Sequence, residues 1–191
     1  RSVTAPAPDS MLCGRACDPA RVARAIARPL HLPTVAAGGS CPVSPTRHFR
    51  GGAGFSGAFD AVGRGPLFLF AFRGRHAPAL RMTPADRGWL GTKVVWVFGR
   101  TYAGPLLLRG GRIDATGGLR FDHYLGAAPW PRSGRGPFRE LLYVRGGLQH
   151  TDGQGLESEP SMVYVRTPGC YAVQVDGVGF SDVLVFRSVR R

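Results

Sequence analysis

The sequence predicts an all-β protein, an antiparallel two-sheet β-sandwich with one short N-terminal helix. Three observations predict it. The stretch 161–190, SMVYVRTPGCYAVQVDGVGFSDVLVFRSVR, holds two apolar runs, 170–175 and 180–185, on either side of Asp176-Gly177-Val178-Gly179. Val, Tyr and Phe suit a half-buried pleated surface, and Asp-Gly followed by Gly supplies the positive φ of a tight reversal. Short apolar runs recur along the chain between turn signals, which 28 glycines and 16 prolines make frequent. The runs PLFLFAF and KVVWVF are apolar on both faces, as central strands covered twice must be. The 191 residues suit one domain, and a chain of that length buries about 70% of its unfolded surface.

Taken in order, residues 1–17 are Ala- and Pro-rich and read as a flexible lead-in to a single β-sandwich domain over 18–191. Asp18-Pro19 opens a helix over 19–28, with Asp as N-cap and Pro in the first helical position. Val22, Ile26 and the alanines between them form its apolar stripe, Arg21, Arg24 and Arg28 its basic remainder, and Pro29 stops it. A basic amphipathic helix can lie on a membrane surface; one this short is expected to pack on its own domain. Residues 30–45 suit a proline-punctuated edge strand carrying Cys41. The glycine-rich stretch 50–64 reads as irregular. Strands are expected at 66–72, 92–98, 105–109, 118–122, 141–145, 162–166, 170–175 and 180–187, seven to nine in all. No stretch reaches the length of apolar sequence that spans a bilayer as a helix.

Four cysteines, Cys13, Cys17, Cys41 and Cys170, allow three pairings. The expected set joins Cys41 to Cys170, tying an early strand to the penultimate one, and closes Cys13–Cys17 as a local loop. Free thiols in a cytosolic protein are the alternative. Cys13-Gly14-Arg15-Ala16-Cys17 is not the C-x-x-C of a redox site, and no second pair stands at zinc-finger spacing. Ser10-Met11-Leu12-Cys13 lacks the small residue before the cysteine that a lipoprotein cleavage box needs.

The net charge is +13, and every basic residue except Lys93 is arginine. The arginines are scattered rather than gathered in one stripe with interleaved aromatics, which argues against RNA or DNA. An anionic cell-envelope polymer or another protein is the expected partner.

Three blocks, RPLHLPTVAAGGSCPVS, TKVVWVFGRTYAGPLLLRGGRIDA and TPGCYAVQVDGVGFSDVLVFR, resemble a family of uncharacterised bacterial secreted or lipoprotein-like proteins with a C-terminal PGCYxxQVDGxxFSxxxVFR hairpin. The resemblance implies export and a β-sandwich-like body, and implies no activity. More broadly, Pro168-Gly169-Cys170-Tyr171 followed by alternating Val is similar to the penultimate strand of immunoglobulin-like and cupredoxin-like sandwiches. Pro168 stands where an immunoglobulin domain has the tyrosine before its second cysteine, so the likeness to an immunoglobulin-like architecture is one of shape.

No motif for catalysis, metal or cofactor emerges. The five histidines, His31, His48, His76, His123 and His150, fall at no ligand spacing. Gly54-Phe55-Ser56-Gly57-Ala58 misses the last glycine of a nucleophile elbow. Gly91-Thr92-Lys93 reverses the order of a phosphate loop. Asp114 and Asp122 flank one turn, where a hairpin could bring them together as paired carboxylates; acids beside turns more often cap amides or pair with arginine, here Asp122 with Arg120 or Arg112. The candidate ligand-binding segment is WPRSGRGPFR, which sets Trp130 and Phe138 among Arg132, Arg135 and Arg139 in an irregular loop. Guanidiniums pair bidentately with carboxylate or phosphate. The expected function is a non-enzymatic extracytoplasmic module, structural or binding through its loops. The alternative is a small extracytoplasmic hydrolase whose site is spread over those loops.

Overall fold

The computed structural model describes residues 19–36, 38–51, 57–71, 79–99, 102, 104–123, 137–143, 150–151 and 156–191. It is mostly β. The elements are α1 (Pro19–Ile26), β1 (Thr46–Phe49), β2 (Phe59–Val62), β3 (Leu67–Ala71), β4 (Ala79–Pro84), β5 (Leu90–Phe98) and β6 (Leu106–Arg112), then β7 (Leu119–His123), β8 (Glu140–Tyr143), β9 (His150–Thr151), β10 (Glu157–Val165), β11 (Gly169–Gly177) and β12 (Phe180–Arg190). A 3-10 turn, Asp86–Gly88, precedes β5.

Hydrogen bonds link the strands in the order β1-β2-β3-β5-β4-β12-β11-β6-β8, with β10 on the other side of β5 and β7 and β9 beside β10. The sheet is not closed. The C-terminal hairpin forms as expected: Gly177 pairs with Phe180, and Gly179 turns the chain at φ +82°. One expectation fails on direction. β4 and β12 run parallel, Arg187 opposite Ala79 and Arg190 opposite Met82, so the sheet is mixed rather than wholly antiparallel. β12 outruns the expected 180–187 and reaches Arg190, and this extra length gives β4 an edge to pair with.

Strict alternation decides the core. Leu67 and Leu69 of β3, Val94, Trp96 and Phe98 of β5, Val163 and Val165 of β10, Tyr171, Val173 and Val175 of β11, and Leu184 and Phe186 of β12 share one buried cluster. Their neighbours turn the other way. Phe68, Val95 and Val97 pack outside with Phe49 and Phe59, so the runs apolar on both faces are covered twice, as their sequence requires.

Two N-terminal pieces cover the opposite outer face. Helix α1 presents Val22, Ala23 and Ile26 to Leu107 of β6 and Leu142 of β8, so its stripe packs on the domain. It ends at Ile26, short of the expected residue 28, because a residue preceding proline disfavours the helical region and Pro29 follows Arg28. Residues 28–36 and 38–45 then run over β11 and β12 with Leu32, Val35 and Cys41 against Ile113, Cys170, Ala172 and Val185. The expected edge strand over 30–45 does not form among the described residues. Pro29, Pro33, Pro42 and Pro45 lack the N–H groups a ladder needs.

The segment is latched by isolated bonds instead. Val35 N donates to Ile113 O at 2.8 Å and Ser44 N to Val185 O at 2.9 Å. His31 N donates to Gln174 Oε1 at 2.7 Å, and Gln174 Nε2 to Pro29 O at 3.0 Å. Asp176, fully buried, accepts from Ser181 Oγ at 2.7 Å, from Arg28 N at 3.3 Å, from Gln174 Nε2 at 2.9 Å and from Arg109. The Cys41–Cys170 disulfide forms as expected, with the two Cα atoms 5.5 Å apart across a sequence separation of 129. Cys13 and Cys17, and the lead-in that holds them, lie outside the described residues.

Candidate anion-binding site

Of the expected binding loop, Trp130, Arg132 and Arg135 lie outside the described residues. Phe138 is only 6% exposed and makes two backbone hydrogen bonds with Phe121, so its ring offers a ligand little surface. Arg139 is exposed. The Phe121–Phe138 bridge places it beside Arg120 of β7.

Arg139 thus joins a larger basic group that the strand register assembles. Arg112 pairs with Tyr171, Gly169 with Ser188, Arg190 with Met82, Thr83 with Gly91, and Val165 with both Leu90 and Leu119. These pairs put the ends of β4, β6, β10 and β12 and the starts of β5, β7 and β11 at one end of the sheet. Arg87, Arg112, Arg120, Arg166, Arg187, Arg190 and Arg191 are all carried there.

At the centre of this end stands Trp89. The Arg166 guanidinium lies over its ring, 4.1 Å from the centroid, and Arg120 approaches it at 5.8 Å. A guanidinium on a tryptophan face is held without being neutralised. Arg166 also donates to the carbonyl of Arg87. Arg87 itself sits at φ 52°, ψ 37°, a left-handed conformation that a bulky residue adopts only when its surroundings fix it. Burial lowers the Arg120 guanidinium below its ordinary pKa, and the positive charges of Arg139 and Arg166 lower it further. Among the described residues no carboxylate pairs with Arg120, Arg139 or Arg166. Like charges held together without a counter-charge attract an anion.

Arg112 is different. Its Nε donates to Asp114 Oδ1 at 2.6 Å and its Nη1 to Thr167 Oγ1 at 2.6 Å. The bond from Arg112 holds the Asp114 carboxyl below its ordinary range despite the opposing effect of burial. Asp114 therefore stays charged and committed to Arg112, while Asp122 stands further along β7 opposite Met162. The turn does not join them as a catalytic pair, and Arg112 is not the partner of Asp122. Beside the Arg112–Asp114 pair lies a cleft of about 680 Å³, walled by the Cys41–Cys170 disulfide and by Gly169, Arg187 and Arg190.

Elsewhere, Tyr143 Oη and Ser161 Oγ lie 2.6 Å apart inside the body, with Glu159 buried nearby at 1% exposure. Burial pushes the Tyr143 hydroxyl well up, the Ser161 bond opposes this, and the Glu159 charge adds to it. So enclosed a group meets no substrate in this conformation. His48 Nδ1 lies 2.7 Å from Asp60 Oδ1 at the surface. Among the described residues no group of three His, Cys, Asp or Glu could hold a metal ion, and no helix is long and apolar enough to cross a membrane.

Sequence reasoning missed Trp89, Arg120 and Arg166 as a site because they come from three separate elements. The readable signal was slight: Arg120 and Arg166 each lie within an expected strand, and Trp89 precedes one. No protein-family model matches the chain, and no curated protein matches it either.

Proposed function

We propose that the protein is a non-enzymatic extracytoplasmic module, with a two-layered, immunoglobulin-like β-sandwich body, that binds an anionic cell-envelope polymer through its arginine-rich end. The observation that carries this reading is the pair Arg120 and Arg166 on Trp89, with Arg139 beside Arg120, uncompensated by any described carboxylate. Guanidinium is the group of choice for carboxylate and phosphate, because its fork matches both and it is always charged. The sandwich is supported by the single apolar cluster that draws side chains from both arms of the strand path. The Cys41–Cys170 disulfide suits an oxidising compartment, in keeping with the resemblance to bacterial secreted proteins.

The test is retention on a poly-L-glutamate matrix over a salt gradient. The parent is expected to bind and to weaken steeply with salt, as exposed charges do. The R120A/R139A/R166A variant is expected to bind at least about tenfold more weakly, a difference of about 1.4 kcal/mol, with an unchanged circular dichroism spectrum. A control, R50A/R64A, removes exposed arginines from the loops that follow β1 and precede β3 and is expected to stay close to the parent. Equal retention of parent and triple variant would remove this end of the molecule from the function.

A further inference from the structure

The sheet face that carries Arg120 also carries an aromatic ring that the arginine group does not use. Leu90 and Val94 of β5, Leu119 and Phe121 of β7, and Val163 and Val165 of β10 all lie in the buried core cluster. Alternation therefore turns Gly91 of β5, Arg120 of β7 and Tyr164 of β10 to the outer face. The register sets these three side by side, with Arg120 opposite Tyr164 and Tyr164 opposite Gly91. They form a row about 10 Å long across three adjacent strands. Trp89 adjoins the row, because the guanidiniums of Arg120 and Arg166 both lie over its ring.

Gly91 gives the tyrosine its place. A Cβ there would stand 2.9 Å from Tyr164 Cε1 and 3.0 Å from Cδ1, closer than a real side chain comes. The ring thus leans over the bare backbone of β5 while remaining half-exposed. Partial burial raises the Tyr164 hydroxyl above its ordinary pKa, and the charge of Asp122 raises it further. Trp89 is taken by Arg166, 4.1 Å from its centroid. Among the described residues no cation lies over Tyr164, so its ring is the aromatic surface left to a ligand.

A chain of carboxylates alone makes no use of such a ring. A pyranose does, since its C–H face is apolar and slightly positive and packs on the negative face of an aromatic. Bases stack on tyrosine as well, and Asp122 decides between the two. It lies two residues beyond Arg120 on the same face of β7, opposite Met162, and its charge reaches Tyr164. A carboxylate beside the ring repels a phosphodiester backbone, whereas it accepts hydrogen bonds from sugar hydroxyls.

We propose that the anionic polymer is a carboxylated polysaccharide, with one sugar ring stacked on Tyr164 and neighbouring carboxylates on Arg120 and Arg166. This rests on the reading of the basic end given above and adds a ring to the charge. Paired strands hold Tyr164 and Arg120 in place, so the platform loses little freedom on binding.

The experiment uses the full, oxidised chain and fluorescence anisotropy with three labelled probes of equal charge: oligogalacturonate, short poly-L-glutamate and oligothymidylate. The parent is expected to bind oligogalacturonate about fivefold or more tighter than poly-L-glutamate, the margin that one stacked ring supplies. Tyr164→Leu keeps Gly91 covered but removes the aromatic face. It should lose that margin while its affinity for poly-L-glutamate stays within about twofold of the parent. Tyr164→Phe should keep the margin, and R120A/R166A should weaken both carboxylate probes. The parent's own preference is read without any variant, so a misfolded Tyr164→Leu leaves the comparison standing. Equal binding of the two carboxylate probes by the parent, or a margin that survives in Tyr164→Leu, overturns the sugar assignment. Weaker poly-L-glutamate binding by R120A/R166A would then still support the function of the basic end. Tighter binding of oligothymidylate than of oligogalacturonate would put a nucleic acid on this face and also overturn the assignment. If no probe binds the parent, both readings fall.

Discussion

Replacing Cys41 and Cys170 by serine is expected to remove about 5 kcal/mol of stability, the value the loop-entropy model assigns to a closed loop of this size. The disulfide closes a sequence separation of 129. An ordinary domain has only about 5–15 kcal/mol in total, so the variant should be marginal or unfolded at physiological temperature. The effect is also local. Cys41 sits in a segment whose prolines deny it a ladder, and only scattered bonds such as Val35 N to Ile113 O hold it otherwise. Urea unfolding of both proteins measures the change. A midpoint shift equivalent to less than about 1 kcal/mol, well under the model value, would show that the latch bonds alone hold the segment.

The second large effect belongs to Asp176→Asn. Asp176 is fully buried. Burial alone would raise its carboxyl, but bonds from Ser181, Gln174, Arg109 and the Arg28 N–H more than offset this and hold it below the ordinary carboxylate value. Asparagine keeps the shape and leaves the half-buried Arg109 without its counter-charge, which in buried pairs costs about 3–5 kcal/mol. The sign of the pH dependence follows from the lowered value. The unfolded chain binds the proton more readily, so the contribution is complete above the unfolded pKa and is lost as pH falls through the folded one. The parent should therefore lose stability on acidification more steeply than the variant. Parallel stability profiles from neutral pH down through the carboxylate range would contradict this, and would assign the latch to its other bonds.

Much of the fold was legible because it is written in local pattern. The hairpin follows from Asp176-Gly177 and Gly179, the doubly covered strands from their unbroken apolar runs, and the helix from Val22, Ala23 and Ile26. Four strands escaped, and for different reasons. β4 carries a readable alternation, Leu80 and Met82 buried against Arg81 and Thr83 exposed, but Pro78 and Pro84 bracket it and read as punctuation. β2 is a short run inside a glycine-rich stretch. β1 is exposed at three of its four positions, so no apolar periodicity marks it. β9 has two residues. The parallel pairing of β4 with β12 is a long-range register that no local feature encodes.

The site was less legible for the same reason. A loop that interleaves Trp130 and Phe138 with arginines looks like a binding surface when read along the chain. Phe138 is instead part of the body, and what brings arginines onto a tryptophan is the pairing of β7 with β10 and of β10 with β5. Tyr164 stands between Arg120 on one side and Gly91 on the other, so the cluster exists only across strands. The disulfide follows from an even number of cysteines, with Cys41 in an early extended stretch and Cys170 at the start of the penultimate strand; the cleft beside it does not, since its walls come from four separate stretches.

The most direct test of the central claim is hydrogen–deuterium exchange of the full chain with and without saturating poly-L-glutamate. Bound polymer should protect the turns at 86–89, 117–120 and 166–169, which carry Trp89, Arg120 and Arg166, and leave the β1–β2 edge and the 177–180 hairpin unchanged. Protection spread over the surface, or centred on β1 and β2, would contradict the account and reduce the charge of +13 to a diffuse property of the molecule.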